Sequence, residues 1–482
     1  MKEDWIECCF EDLLDYEQPT KYIVKNTKYN DSYKMPVLTA GKTFIKGYTN
    51  ENEGVFDNLP TIIFDDFTTA TQYVNFKFKV KSSAMKILVP TSKLINMPLV
   101  YYAMQINQVR SDTHKRYWIS VFSKKRFLLP PLVEQKAIVK KIEELFSSLD
   151  SGIADLKKAQ DQLVVYRQAV LKKAFEGELT KEWRTKQTNL PSASELLELI
   201  KEERQKHYDQ QLVDWKKTVE IWERDSRKGK KPLKPKKLIE ILNLTEEELD
   251  KLDSLPNQWS YSYLAYAGEL ARGKSKHRPR NDIKLFEGGK YPFIQTGDVK
   301  AQKIITEFDK KYSEFGLQQS KLWKKGTLCI TIAANIAETG FLGIDACFPD
   351  SIVGFTPFNV IIKDQYIEYF FQLAKNRISA YAPATAQKNI NLTILENLVV
   401  PFCSKQEQQQ IILEIESRLS VCDKIEESIN ESLQKAIALR QSILKKAFDG
   451  KLLSDEEITK CKQDKDYESA SVLLEKIKAE KK

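Results

Sequence analysis

The chain has 482 residues, of which 42% are hydrophobic and 10% aromatic, and 76 Lys and Arg against 67 Asp and Glu give a net charge of +9. This length exceeds one ordinary core and predicts roughly three or four units, and the apolar content excludes a disordered chain. The mild basic excess permits a nucleic-acid partner without demanding one, so where the charge clusters matters more than its sum.

The N-terminal stretch, "MKEDWIECCFEDLL", is acidic and lacks the apolar core of a signal peptide. No run approaches the ~18 apolar residues of a membrane span. The seven cysteines (Cys8, Cys9, Cys329, Cys347, Cys403, Cys422, Cys461) are odd in number and show no CxxC spacing. With only His114, His207 and His277 beside them, they offer little to zinc. Free thiols in a reducing cytoplasm are the expectation.

Residues 1–130 read as a compact mixed α/β domain. Stretches such as "MPVLTAGKTFIKGY" and "PTIIFDDFTTATQYVNFKFKV" are β-branched, aromatic and broken by Gly, Pro and Asp, and "PLVYYAMQI" is a short helical pattern. Lys42, Lys46, Tyr48, Thr49 and Asn50 form a polar-basic loop, and "SDTHKRYWIS" sets His114, Lys115 and Arg116 beside Tyr117 and Trp118. Basic residues interleaved with aromatics suit nucleic acid, and they also describe snorkelling at a domain edge.

Residues 131–255 read as helix with an extended helical and basic linker. Apolar residues at Phe146, Leu149, Ile153, Leu156, Leu163 and Val170 keep a 3,4 spacing that Gln160 and Arg167 interrupt. Pro130 and Pro131 precede this helix, and Gly177 stands where a C-terminal cap belongs. A helix of ~45 residues is ~68 Å long at ~1.5 Å per residue. Being narrowly striped, it needs a partner. Beyond it, "ELLELIKEERQKHYDQQLVDWKKTVEIWER" reads as a charged helix, and "RKGKKPLKPKK", with seven basic residues and no acid, as an exposed linker.

Residues 256–400 read as a second mixed α/β domain, from "KGTLCITIAANI", "DSIVGFTPFNVIIK" and the helical "QYIEYFFQLA". Its basic cluster, "ARGKSKHRPRNDIK", holds Arg272, Lys274, Lys276, His277, Arg278 and Arg280, with Asn281 at its end and one acid, Asp282. Arg and Lys supply salt-sensitive phosphate contacts, Arg reads guanine bidentately and an Asn amide serves adenine. Residues 401–482 repeat the helix: Leu419, Cys422, Ile429, Leu433, Ala436 and Ile443 keep the register of the first copy, Pro401 precedes and Gly450 follows.

The repetition is close. "RQAVLKKAFEGEL" from Arg167 returns as "RQSILKKAFDGKL" from Arg440, 273 positions later, and Glu134–Leu179 aligns with Glu407–Leu452 without a gap at 16 identities in 46. "ISVFSKKRFLLPP" parallels "INLTILENLVVPF", and "SASELLELIKEE" returns as "SASVLLEKIKAE". The simplest partner for either helix is the other copy. Arg167 and Arg440 fall on the apolar stripes, where a charge is costly unless paired. They are expected to fix helix register or to meet acids on a partner subunit, the alternative being that the stripe drifts and both are solvated.

Catalytic motifs fail one by one. "AGKTF" lacks the glycine five residues before its GK pair, where Pro36 stands. Asp65 and Asp66 have no third acid at a metal-binding spacing, so a turn or domain-internal hydrogen-bonding role is expected. Asp350 follows a proline with no E-x-K to complete a nuclease set, and "LPPL" lacks the polar and stacking residues of a methyltransferase loop. No catalytic residue and no metal site are assigned.

The whole arrangement resembles the specificity subunit of a type I restriction–modification system. "PPLVEQKAIVKKIEELFSSLD" and "EQQQIILEIESRLSVCD", each leading into "LKKAF[ED]G[EK]L", carry the resemblance, along with "YEQPTKY", "FDDFTT", "ITIAANIAETGFLG" and "CFPDSIVGF". "PFCSKQEQ" departs from the family's P-L-x-EQ approach in the second copy. The resemblance implies an α+β chain of two target-recognition domains alternating with two long antiparallel coiled-coil helical regions in a pseudo-two-fold internal repeat. It implies a bipartite double-stranded DNA target with half-sites about one turn, ~34 Å, apart. It also implies two methyltransferase and two restriction–translocase partner subunits, which carry S-adenosylmethionine, ATP and Mg so that this chain binds none. The helical residues given to the spacer and partner interface are Glu134, Gln135, Ile138, Leu149, Ile153, Leu156, Leu163, Arg167 and Phe175 in the first copy. In the second they are Glu407, Gln408, Ile411, Ile429, Leu433, Arg440 and Phe448.

Overall fold

The computed structural model describes residues 3–41, 43–107, 116–225, 231–235, 244–300, 304–333, 335–358, 361–380 and 390–481. Two helices of 44 residues each, Leu132–Phe175 and Lys405–Phe448, match the ~45-residue expectation. Each is closed by a glycine in the left-handed region, Gly177 (φ 77°) and Gly450 (φ 70°), which side chains other than glycine rarely adopt. The amides of Glu178 and Lys451 return to the carbonyls of Lys173 and Lys446 at 3.0 and 2.7 Å, the closing bonds of a Schellman cap.

The chain folds into two compact units, Met1–Ala159 with Ser428–Lys482, and Gln160–Glu427. Each therefore combines one mixed α/β domain with the start of the helix that follows it and the end of the other long helix.

In the first unit, a four-stranded antiparallel sheet runs in the order Leu14–Glu17, Met85–Pro90, Thr61–Asp65, Thr71–Val74. A three-stranded sheet sets Met35–Leu38 between Ile45–Thr49 and, in parallel, Lys79–Val80. The opening strand Ile6–Cys9 pairs antiparallel with the closing strand Arg126–Leu129, Ile6 opposite Leu129. One apolar core joins Trp5, Phe10, Phe64, Leu99, Trp118 and Phe127 of the domain to Ile138 and Ile142 at the start of the first long helix. Ile443, Leu444 and Ala447 from the end of the second, with Leu473 and Ile477 from the C-terminal helix Ala470–Glu480, complete it.

In the second unit, a five-stranded sheet has the order Gly268–Arg272, Ile352–Pro357, Leu328–Thr331, Thr339–Leu342, Ile304–Ile305. A four-stranded sheet orders Lys310–Tyr312, Tyr291–Phe293, Ala346–Cys347 and Leu322–Trp323. Opening strand Ser260–Tyr263 pairs with closing strand Val399–Phe402, Ser260 opposite Phe402. The core again takes both helices, Ile411 and Ile415 from the start of the second and Val170, Leu171, Ala174 and Phe175 from the end of the first. The Phe175 ring lies tilted 4.9 Å from Tyr366 and edge-on 5.4 Å from Phe370.

Within each unit the paired helix segments run in opposite directions. In the first, Lys141 meets Glu457 at 3.0 Å and Asp150 meets Arg440 at 2.8 Å. In the second, Arg167 meets Asp423 at 2.7 Å, while Thr180, past the helix end, bonds Glu407 at 2.8 Å. The inserted helix Ala193–Arg224 continues the segment equivalent to the C-terminal helix. Its buried Leu196 and Ile200 occupy the places of Leu473 and Ile477, and its extension lays Arg204 4.6 Å from the ring of Tyr266. Past Leu212 no residue of this helix is buried.

Candidate nucleic-acid interface and helical joints

The clearest geometry lies where each long helix begins. Glu134, 2% exposed, accepts from the indole N–H of Trp5 (2.8 Å) and the Tyr467 hydroxyl (3.1 Å). Glu407, 1% exposed, accepts from Trp259 Nε1 (2.9 Å), Thr180 Oγ1 (2.8 Å) and Arg184 Nε (2.7 Å). Each glutamate thus ties the tryptophan that opens the domain ahead of its own helix to the segment that follows the other long helix. The neighbouring glutamines secure the same turn: Gln135 Nε2 donates to the Pro130 carbonyl, Gln408 Nε2 to those of Cys403 and Ile361. The divergent "PFCSKQEQ" replaces Pro131 by Ser404, whose Oγ caps the helix by accepting from Glu407 N at 3.1 Å.

These four residues, given from sequence to the spacer and partner interface, are buried and bonded within the chain, as Ile138 and Ile411 are buried. They are joints of the chain itself. Trp5, Trp259, Tyr467 and Arg184 were not anticipated, though a lone tryptophan just ahead of the first strand in both copies was a usable signal. At the first joint Asp4 lies 2.9 Å from the Tyr467 hydroxyl and 3.2 Å from Lys462. The hydrogen bond from Tyr467, then that from Lys462, hold the Asp4 carboxyl below its usual range. Burial, then its bond to Asp4, raises the Tyr467 phenol.

Along the stripe, Leu149, Ile153, Leu156, Leu163 and Leu433 are half-buried and Ile429 is buried, as a two-helix seam requires. Phe448 is half-buried, 6.3 Å from Phe127. Arg167 bonds Asp423 (2.7 Å) and Glu426 (2.9 Å), and Arg440 bonds both oxygens of Asp150 (2.8 and 2.9 Å). Asp150 and Asp423 are equivalent in the repeat, so the two bridges are one contact made twice, each with one residue from either copy. A double-mutant cycle on Arg440 and Asp150 is expected to give a coupling of about 0.5–1 kcal/mol in urea unfolding, since both groups are substantially exposed. Additive single effects would mean that the bridge contributes nothing.

The basic residues of the second domain run from Arg272, the end of the strand Gly268–Arg272, into the loop that follows it. Arg272, Lys274, Lys276, Arg278, Arg280 and Asn281 are all exposed, and His277 is half-buried. Asp350 organises the loop: its carbonyl accepts from Arg272 Nε and Nη2 (3.0 and 2.8 Å) and its carboxylate from Arg280 Nη2 (2.8 Å). Arg278 Nη1 donates to the carbonyls of Ser275 and His277. His277 bonds Asp282 at 2.7 Å, the contact that most lowers the Asp282 carboxyl. The segment beside the loop adds a cation that sequence reading overlooked. Lys276 N meets the Gln319 carbonyl, Ser320 Oγ donates to the Lys274 carbonyl, and Lys321 sits 3.7 Å from the Trp323 ring. Such a surface can meet phosphates with its lysines and offer base edges an arginine and an amide.

In the first domain Lys46, Tyr48 and Thr49 share the strand Ile45–Thr49, with Asn50 at its exit. Lys46 and Asn50 are exposed, but Thr49 is buried, at the inner end of a strand whose burial rises steadily from Ile45. Arg116 is exposed at the approach to a π-helical turn, Trp118–Phe122. Asp66 anchors that turn by accepting from Trp118 N at 2.8 Å, and buried Lys86 lies 3.9 Å from its carboxylate. Asp65 accepts from the amides of Phe67 and Thr68. Both aspartates thus have the internal roles expected of them. Among the described residues no hydrogen bond or ion pair links Arg116 to the Lys46 strand, and Lys42, His114 and Lys115 lie outside the described residues. Among the described residues no three His, Cys, Asp or Glu side chains gather to hold a metal, and no helix is long and apolar enough to cross a membrane.

The model of the type I restriction modification DNA specificity domain matches residues 2–158 and 265–435. The chain belongs to this family. It is a specificity chain whose two matched segments hold the two recognition domains, and its relatives are alike. It is 43% identical to the EcoR124I/EcoR124II specificity subunit of Escherichia coli across 36% of this chain and 45% of that one. It is 28% identical to the EcoBI specificity subunit of E. coli across 73% of this chain and 64% of that one, so its matches span less than two thirds of these relatives' lengths. Among solved structures, a chain from a study of complex assembly in the type I R-M system superposes with a TM-score of 0.60 at 14% identity. That match covers 94% of this chain and 99% of the other. The HsdS subunit from Thermoanaerobacter tengcongensis superposes at 0.50 and 16% identity, covering 94% and 98%. Both likenesses bear on the fold.

Proposed function

We propose that this specificity chain reads a bipartite double-stranded DNA target, one half-site per recognition domain, and has no catalytic activity of its own. The helical regions bind two methyltransferase subunits and, for cleavage, two restriction–translocase subunits in the cytoplasm. S-adenosylmethionine, ATP and Mg belong to those partners. The observation that carries the reading is the exchange of equivalent residues between the two copies. Arg167 with Asp423 and Arg440 with Asp150 make a self-complementary contact. Two-fold pairing of this kind suits a target of two half-sites and partners bound in pairs.

Co-expression with the cognate methyltransferase, followed by mapping of methylated adenines, is expected to reveal one gapped motif. Exchange of residues 260–402 for those of a relative should then alter one half of that motif. A change in both halves, or no adenine methylation in any gapped motif, would overturn the reading.

A further inference from the structure

The same five residue types recur at matching positions of a domain helix and the paired long helices in both units, although the domains otherwise differ. In the first unit Tyr102, Gln105, Glu143, Asp150 and Arg440 line a cleft of ≈540 Å³. The Arg440 guanidinium lies 4.3 Å from the Phe146 ring, and Tyr102 meets that ring edge-on at 5.8 Å. Burial, then the charge of Glu143, pushes the Tyr102 phenol up to about 12. In the second unit Tyr369 is raised likewise, by burial and then by Glu416, Glu368 and Asp423, and Arg167 bridges Asp423. Glu143, Asp150 and Arg167 precede Glu416, Asp423 and Arg440 by 273 positions. Tyr102 and Gln105 precede Tyr369 and Gln372 by 267. Two different offsets converge on one arrangement.

Internal packing does not explain all five residues. Glu143 and Glu416 are both exposed, and neither makes a hydrogen bond or ion pair among the described residues. Carboxylates outnumber cations in both places: Glu143 and Asp150 against Arg440, Glu416 with Asp423 and Glu426 against Arg167. The surplus carboxylate beside a tyrosine ring suits a guanidinium or ammonium group, which both attract.

We infer that this cleft and its counterpart around Glu416 in the second unit are a duplicated docking notch, each receiving an arginine or lysine side chain from one of two copies of the same partner subunit. The inference rests on the proposed binding of two methyltransferase subunits and assigns that contact to Glu143 and Glu416. The test measures, by native mass spectrometry and titration, how many cognate methyltransferase subunits the full chain binds. Glu143→Lys and Glu416→Lys are each expected to weaken one of two bound copies at least tenfold, and the double variant both. Thermal unfolding of the free chain should stay unchanged, as should binding by Glu223→Lys, a reversal of an exposed acid on the inserted helix. A double variant that binds two copies within twofold of the parent affinity would overturn the notch alone. A parent chain that binds no methyltransferase would overturn the notch together with the proposed function.

Discussion

Replacing Glu407 by alanine is expected to destabilise the second unit by about 3–5 kcal/mol, because it strands a buried cation. Arg184, whose side chain is 10% exposed, has its Nε 2.7 Å from that carboxylate. The same carboxylate also satisfies Trp259 and Thr180. Glu134→Ala is expected to cost less, about 1–3 kcal/mol, since only the neutral indole N–H of Trp5 loses this acceptor while the Tyr467 hydroxyl keeps Asp4 at 2.9 Å. Urea unfolding of the two variants reads the difference directly. Replacing Arg184 and Glu407 together with methionine should recover part of the loss, as expected when an unpaired charge rather than a missing contact sets the penalty. Equal costs for Glu134→Ala and Glu407→Ala would show that the hydrogen bonds dominate and the cation adds little.

The second large effect is on DNA affinity. Alanine at Lys274, Lys276 and Lys321 together is expected to lower the affinity of the assembled methyltransferase complex by roughly 10–100-fold at low salt. The slope of log affinity against log salt should fall by about 0.9 for each lysine that meets a phosphate. The loss should be nearly uniform across sequences, because phosphate contacts position the protein without reading bases. Asn281→Ala should behave differently, leaving the salt slope in place and relaxing base preference in one half of the target. Titrations between 50 and 200 mM salt, on target and unrelated duplexes, separate these outcomes. An unchanged slope in the triple variant would remove the loop from the DNA interface.

The helices were legible in the sequence because a 3,4 stripe of apolar residues and a matched glycine at each end leave little choice of structure. The repeat at 273 positions located Arg167 and Arg440 on the stripe, yet not their partners. Which acid faces an arginine depends on the register between two separate segments, and no local spacing encodes that. For the same reason Trp5 and Trp259 escaped notice, since the glutamates they bond lie far away in sequence. The recognition domains were legible as mixed α/β and no further. Met35–Leu38 pairs in parallel with Lys79–Val80, a contact between strands too short to announce their neighbours. Thr49 was read as surface because it is polar, whereas its strand runs from an exposed end at Ile45 to a buried one at Thr49. The basic loop was visible as charge, but the role of Asp350 in aiming Arg280 needed the fold, because the two are brought together only by the sheet.

The strands that open and close each recognition domain lie side by side, Ile6 opposite Leu129 and Ser260 opposite Phe402. The polypeptide therefore enters and leaves each domain through one doorway, with its two thresholds hydrogen-bonded together. Whatever lies beyond that doorway can lengthen, shorten or be rewritten without shifting the frame in which it is mounted. A chain built this way can change what it reads while keeping how it is held.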